Sequence, residues 1–165
     1  MVAHCIEADK RFGLVYHDPD ESGPFQVDGQ VACLAEIREF QPIPDGRSMI
    51  MVEGLQRVRL SGEIGSDAMY YRADAENFDD LVANPPGILE RRRVSLGLFR
   101  EVIRRIGDES TTQPELDENR DVSFQIARWI RTAPQWHQHL LESQSESERL
   151  DLIDRLLLIA LEETA

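Results

Sequence analysis

At 165 residues the chain is long enough for one domain, or for a small sheet domain with a helical companion. A chain of this size buries roughly 70% of its unfolded surface, so no metal or disulfide staple is required. A composition of 41% hydrophobic and 30% charged residues is that of a soluble globular protein. The formal charge of −13 argues against a general nucleic-acid binder and against anionic membrane surfaces, because phosphate contacts need a basic face. The basic side chains are nearly all arginine, Lys10 being the only lysine.

Met1 to Lys10 is mixed and acidic, without the apolar core of a signal peptide. The longest purely apolar run, Leu156 to Leu161, is far too short to span a bilayer. Cys5 and Cys33 lie in no metal-ligand spacing and read as two reduced thiols of a cytoplasmic protein.

In chain order, Val2, Cys5 and Ile6 share one side of a short helical turn that breaks before Phe12. Phe12 to Tyr16 is predicted as a buried strand, rich in β-branched and aromatic residues. His17 to Pro24, with two prolines, a glycine and three acids, reads as a loop. Phe25 to Val27, Asp28-Gly29 and Gln30 onward predict a hairpin, since Asp-Gly accepts the positive φ of a tight turn. Val31, Cys33, Ala35 and Ile37 alternate with increasingly polar neighbours, the pattern of a strand with one face in a core. Pro42 to Gly46 is a turn. Ser48 to Val52 is nearly continuous in apolar residues, so this strand is expected to be covered on both faces. Gly54 interrupts it and suggests a bulge or a close backbone approach. Val58, Leu60 and Ile64, then Met69, Tyr71, Ala73 and Ala75, continue the alternation. Together these strands predict a small antiparallel sheet or partly closed barrel.

The period changes at Phe78. Leu89, Leu96, Phe99, Ile103 and Ile106 follow helical spacing after Pro85-Pro86-Gly87, with Gly107 as a stop and Asp108 to Arg120 as a mobile loop. Val122, Ile126, Trp129 and Ile130 form a second apolar stripe. Pro134 suits the first turn of a third helix carrying Trp136, Leu140 and Leu141. Ser145-x-x-Glu148 is a capping box that opens a fourth, with Leu150, Ile153, Leu157 and Leu161 on one face.

Reactive constellations are absent from this pattern. No phosphate loop of the G-x-x-x-x-G-K-[ST] kind occurs, and Lys10 is the only lysine available to a Ser–Lys dyad. His137 and His139 diverge on a helix, and His4 and His17 have no partner spacing. Asp18/Asp20 and Asp79/Asp80 read as solvated charge or a helix cap. Arg91-Arg92-Arg93 reads as a solvated helix face, with an anion or RNA contact as the alternative. Trp129 and Trp136 read as core rather than as a ligand cage. The sequence therefore predicts no catalytic, metal or cofactor-binding residue, and no enzyme.

One resemblance organises the whole chain. Val31-x-x-x-Ala35-Glu36-Ile37, then Pro44-Asp45-Gly46-Arg47, then Val52-Glu53-Gly54-Leu55-Gln56-Arg57-Val58-Arg59-Leu60 resemble the N-terminal substrate-binding domain of the Lon protease family. Met1-Val2 with Cys5-Ile6-Glu7-Ala8, and Arg11 to Val15, resemble the same family's preceding segment. Phe124 to Ala127, Leu140-Leu141-Glu142 and Glu148-Arg149-Leu150 resemble its closing helices. Two departures stand out. The ATPase and peptidase domains of full Lon are absent, which implies the stand-alone Lon N-terminal-like kind. The family's opening strand pair, with Pro-Leu-Phe-Pro and Leu-Pro-Leu-x-Ile-Phe-Glu-Pro-Arg-Tyr, is also absent. The expectation is a form shortened at its N-terminus, with a sheet edge left unpaired.

The fold implied by the resemblance is α+β: a PUA-like antiparallel β pseudo-barrel over residues 1–80, followed by a small α-helical bundle over residues 81–165. The function it implies is non-catalytic recognition of unfolded or hydrophobic polypeptide, of a protease partner, or of another copy of the chain. RNA binding is the alternative, since PUA-like barrels elsewhere bind RNA. The binding surface is expected among apolar and aromatic positions at the junction of sheet and helices or along the open edge. Val31 to Leu60 is expected to supply framework instead.

Overall fold

A computed structural model describes residues 1–18, 28–65, 67–106 and 114–163. It divides into two compact units, Met1–Asp79 and Asp80–Ala165. The first contains helix α1 (Val2–Glu7) and strands β1 (Arg11–Leu14), β2 (Val31–Pro42), β3 (Ser48–Glu63) and β4 (Ala73–Asn77). The second contains helices α2 (Ile88–Ile106), α3 (Val122–Ala127), α4 (Pro134–Glu142) and α5 (Glu146–Glu163).

The strands form one antiparallel sheet in the order β1-β2-β3-β4. Helix α1 ends where the Lys10 N–H donates to the Cys5 carbonyl at 2.8 Å, with Lys10 itself at φ 62°. That turn delivers the chain into β1. The Asp28-Gly29 turn is present, with Gly29 at φ 80° donating to the Leu60 carbonyl. The preceding half of that hairpin, Phe25 to Val27, lies outside the described residues, as does most of the loop before it. Ala32, Val58 and Leu60 form the sheet's small core, with Val15, Leu34 and Ala73 packed against it. Phe78 is buried beneath the guanidinium groups of Arg57 and Arg59, 5.3 and 4.5 Å from its ring centre.

Gly54 marks both a bulge and a close approach. The register between β2 and β3 shifts where Leu34 faces Gln56 and Ala35 faces Gly54, which leaves Leu55 as the extra residue. A Cβ on Gly54 would stand 2.9 Å from Cys33 Sγ, whereas its φ does not fall in the left-handed region. Glycine is needed here for space rather than for backbone freedom.

The helices enclose a single apolar cluster built on Ile88, Leu96, Phe99, Val102, Val122, Ile126, Leu140, Leu150, Ile153 and Leu157. Helix α2 packs along α5, and α3 packs on both. Two arginines tie the connecting segments to this core. Arg149, with 0% of its surface exposed, uses all five donors. Its Nε donates to Ser123 Oγ at 2.8 Å. Nη1 donates to Asp80 Oδ1 at 2.7 Å and to the Ser143 carbonyl at 2.8 Å. Nη2 donates to Asp80 Oδ2 at 2.7 Å and Asp121 Oδ2 at 2.6 Å, and the Phe124 ring lies 4.5 Å from the guanidinium. Desolvation opposes the charge, but hydrogen bonds and attraction from Asp80 and Asp121 outweigh it and hold the Arg149 pKa above its ordinary value.

Arg92 repeats the arrangement. Its Nε and Nη2 fork grips buried Glu146 at 2.6 to 3.1 Å, while Nη2 also reaches Asn84 Oδ1 and Nη1 the Glu118 carbonyl. Glu146 Oε1 in turn accepts from the Val122 N–H at 2.8 Å, so it satisfies the start of α3. Asp121 completes that cap through the Phe124 N–H.

Several expectations are overturned. Ser48 to Val52 is not covered on both faces: Met49 and Met51 on one and Val52 on the other are exposed to solvent. Met69 and Tyr71 precede the last strand, which begins only at Ala73, and both are exposed. Leu89 and Ile106 are exposed, since the buried face of α2 runs instead through Ile88, Arg92, Ser95, Leu96, Phe99 and Val102. Helix α3 stops at Ala127, which leaves Trp129 outside the core at 50% exposure, whereas Trp136 does pack against it. Arg91 to Arg93 is not one solvated face: Arg92 is buried with Glu146 and Arg91 is half-buried against Asp151 and Asp154, whereas Arg93 is exposed as expected and pairs with Glu118. Asp80 is the partner of Arg149 rather than a free charge. The stop at Gly107 lies outside the described residues.

Substitutions at Gly54 and Arg149 test these contacts. Gly54→Val lowers stability by about 1–3 kcal/mol through overpacking against Cys33. In a thermal or urea double-mutant cycle, Gly54→Ala costs less in a Cys33→Ala background than in the native one, and equal costs in both would refute the contact. Arg149→Met costs about 3 kcal/mol, because it strands Asp80 and Asp121 without their counter-charge. Urea unfolding of that variant at native stability would show that the network contributes nothing.

Candidate functional site

β2 and β3 are 12 and 16 residues long and far outreach the strands beside them. β1 pairs only with Cys33 to Glu36, and β4 only with the part of β3 from Val58 to Glu63. The outer halves, Ile37–Pro42 and Ser48–Leu55, therefore project as a two-stranded arm with no described strand on either side. The arm closes in an ordered turn. Gly46 sits at φ 87°, the Ile43 N–H donates to the Arg47 carbonyl at 2.8 Å, and Asp45 Oδ1 accepts from the Arg47 N–H at 3.0 Å. The Arg47 guanidinium also grips Asp45 and holds that carboxyl below its ordinary pKa.

The two faces of the arm differ. Cross-strand partners share a face, so Phe40 with Ile50 and Ile37 with Val52 make one side apolar up to Ser48, opposite Pro42 at the turn. The other side carries Met49 and Met51 opposite Gln41 and Glu39, then Glu53 opposite Glu36. Arg38, displaced by a second register shift between Ile37 and Glu39, bridges Glu36 and Glu53, at 2.6 Å to the latter. Phe40, Met49 and Met51 stand 43%, 63% and 58% exposed. Exposed thioethers and an aromatic ring on a projecting ribbon suit contact with varied apolar partners, because methionine repacks at little cost.

Groups singled out for possible chemistry do not assemble. His137 Nε2 contacts the Ile130 carbonyl at 3.1 Å, while His139 lies apart beside an open depression with Glu142, Glu148, Asp151 and Arg155. Ser143 there donates to Glu148 and serves the start of α5, where Ser145 Oγ accepts from the Glu148 N–H. Burial pushes the Cys33 thiol up from its ordinary value, against a smaller lowering effect of a hydrogen bond with the Leu55 main chain. Among the described residues no group of three or more His, Cys, Asp or Glu side chains could hold a metal ion, and no helix is long and apolar enough to cross a membrane. What the sequence did not single out is the arm. Its apolar run looked like a covered strand, and the available cue was length: a strand of 16 residues has to outrun neighbours of four and five.

The family described as "ATP-dependent protease La (LON) substrate-binding domain" matches residues 1–158. The Lon protease of Xanthomonas oryzae pv. oryzae is 29% identical over 155 residues, covering 90% of this chain and 18% of that protein. The Lon protease of Halothermothrix orenii is 29% identical over 141 residues, covering 81% of this chain and 17% of that protein. The chain thus spans less than a fifth of the length of these relatives. In three dimensions it is similar to the N-terminal domain of a Mycobacterium avium complex Lon protease, with a TM-score of 0.67 at 13% identity over 99% of this chain and 84% of that one. That likeness agrees with the α+β build of antiparallel sheet and helices. By the extent of the family match, the chain belongs to the Lon substrate-binding domain family.

Proposed function

We propose that this chain is a non-catalytic recognition module that binds unfolded or hydrophobic polypeptide segments, or a protease that handles them. The observation that carries this reading is the projecting β2–β3 arm, on which Phe40, Met49, Met51 and Val52 meet solvent instead of a core. We place the binding surface there, within the stretch that sequence reasoning assigns to framework. The family match supports a recognition role, because the matched part of Lon is its substrate-binding domain. At the finer level of the fold we propose a PUA-like barrel over residues 1–80 and a helical bundle over residues 81–165. A cytoplasmic setting fits the two free cysteines. The charge of −13 weighs against the RNA-binding alternative.

The intact chain is expected to suppress aggregation of a chemically denatured protein and to bind it in a fluorescence titration. Replacing Phe40, Met49 and Met51 together by serine weakens that binding by about tenfold or more, with an unchanged melting temperature. A native chain that neither binds denatured protein nor slows its aggregation would overturn the proposal.

A further inference from the structure

The apolar side chains explain why the arm is sticky, but its main chain makes a narrower statement. Antiparallel pairing alternates, with each residue turning both its N–H and C=O either toward its partner strand or away from it. The Ile43–Arg47 hydrogen bond fixes the phase at the turn, so Met49 and Met51 bond inward to β2 while Ser48, Ile50 and Val52 face outward. The far end agrees. The Ile37 N–H points away from β3 to the Lys10 carbonyl, which leaves Val52 outward, and beyond the bulge the Arg57 carbonyl accepts from the Phe78 N–H. At that point the edge is taken: the Gln56 side-chain amide donates to Asn77 Oδ1 at 3.0 Å, and β4 begins its main-chain pairing at Val58.

Between the turn and Gln56, eight residues of β3, a length of roughly 25 Å, present outward amides and carbonyls to which no described strand pairs. Edges meant to stay unpaired are defended by lysine, proline or inward charge. This one has no proline and a single charged residue, Glu53, with its bulge only at the far end.

We infer that the β3 edge from Ser48 to Gly54 takes an extended polypeptide as an added strand, and selects one in which apolar residues alternate with lysine or arginine. The selectivity follows from the two faces that an added strand would continue. Its residues on one side join Ile50 and Val52, with Phe40 beyond them. Those on the other lie beside Met49, Met51 and Glu53, where a lysine or arginine stem can lie along the methionines toward Glu39 and Glu36. Arg38 and Arg11 offset these acids only in part. The surrounding field has the same sign. Residues 1–79 hold seven basic against fifteen acidic side chains, a net charge of −8. This inference rests on the polypeptide-recognition reading and names the mode and chemistry of that recognition.

The test uses the intact chain and a labelled nine-residue peptide that alternates valine and lysine. Fluorescence anisotropy compares it with a valine–glutamate peptide and with the same valine–lysine peptide N-methylated at two adjacent central residues. One of those two amides must face β3 whichever way the peptide runs. The expected result is binding of the first peptide, none of the second, and a loss of about tenfold or more for the third. The amides of Ile50 and Val52 should gain hydrogen-exchange protection when the first peptide binds. If the chain binds denatured protein while N-methylation changes nothing, or while Ile50 and Val52 exchange unaltered, strand addition is overturned and general recognition stands. Concentration-dependent protection of those amides that the peptide cannot displace would assign the edge to a second copy and overturn the inference. Binding of neither denatured protein nor peptide defeats both readings.

Discussion

The buried guanidinium of Arg149 is the constraint around which the helical unit is arranged. A charged side chain with no exposed surface is tolerable only if each donor finds an acceptor, and Arg149 meets that condition with Asp80, Asp121, Ser123 and Ser143. Three of those partners, Asp80, Asp121 and Ser143, lie in three different connecting segments, and Ser123 lies in α3. The apolar side chains of α2, α3 and α5 bring the helices together without direction, and the arginine fork specifies where their connections must run. Arg92 extends the same logic: the carboxylate it holds, Glu146, also caps α3. The arginine-rich, lysine-poor composition has a physical use here, since a lysine ammonium could satisfy neither a bidentate carboxylate nor five acceptors.

In the sheet unit the governing feature is a mismatch of length. Long β2 and β3 are matched by short β1 and β4, so the hairpin outruns its sheet. A two-stranded ribbon is marginal by itself, and this one is braced at both ends. At its base, Ala35 and Ile37 are buried and Gly54 lets the strands close over Cys33. At its tip, Asp45, Gly46 and Arg47 lock the turn. The bracing allows the middle to stay open while its backbone remains in register, which a surface that recognises extended chains requires.

The charge pattern joins the two halves of this account. Arginines of the helical unit are drawn into internal pairs with Glu146, Asp80, Asp121, Asp151 and Asp154. On the arm, by contrast, Arg38 and Arg47 neutralise only part of the acid around them. Arg91, Arg92 and Arg149 thus serve as internal fastening, and the apolar arm is presented from an acidic unit. A partner that is both apolar and basic gains from both features.

Sequence alone determined the family, the sheet-then-helix order and most element boundaries. Alternation at Val31 to Ile37, the Pro42–Gly46 turn and the capping serine before α5 are local signals, written in residues that contact one another along the chain. It also flagged Gly54 as a close approach, although only the structure identified Cys33 as the neighbour. Tertiary structure decided the rest. Arg92 and Arg149 look like surface residues in any periodicity argument, because the acceptors that permit their burial lie up to 69 residues away. The run Met49-Ile50-Met51-Val52 reads as a covered strand because apolar content reports what a strand could bury, whereas only what the tertiary structure stacks on its faces settles what it does bury.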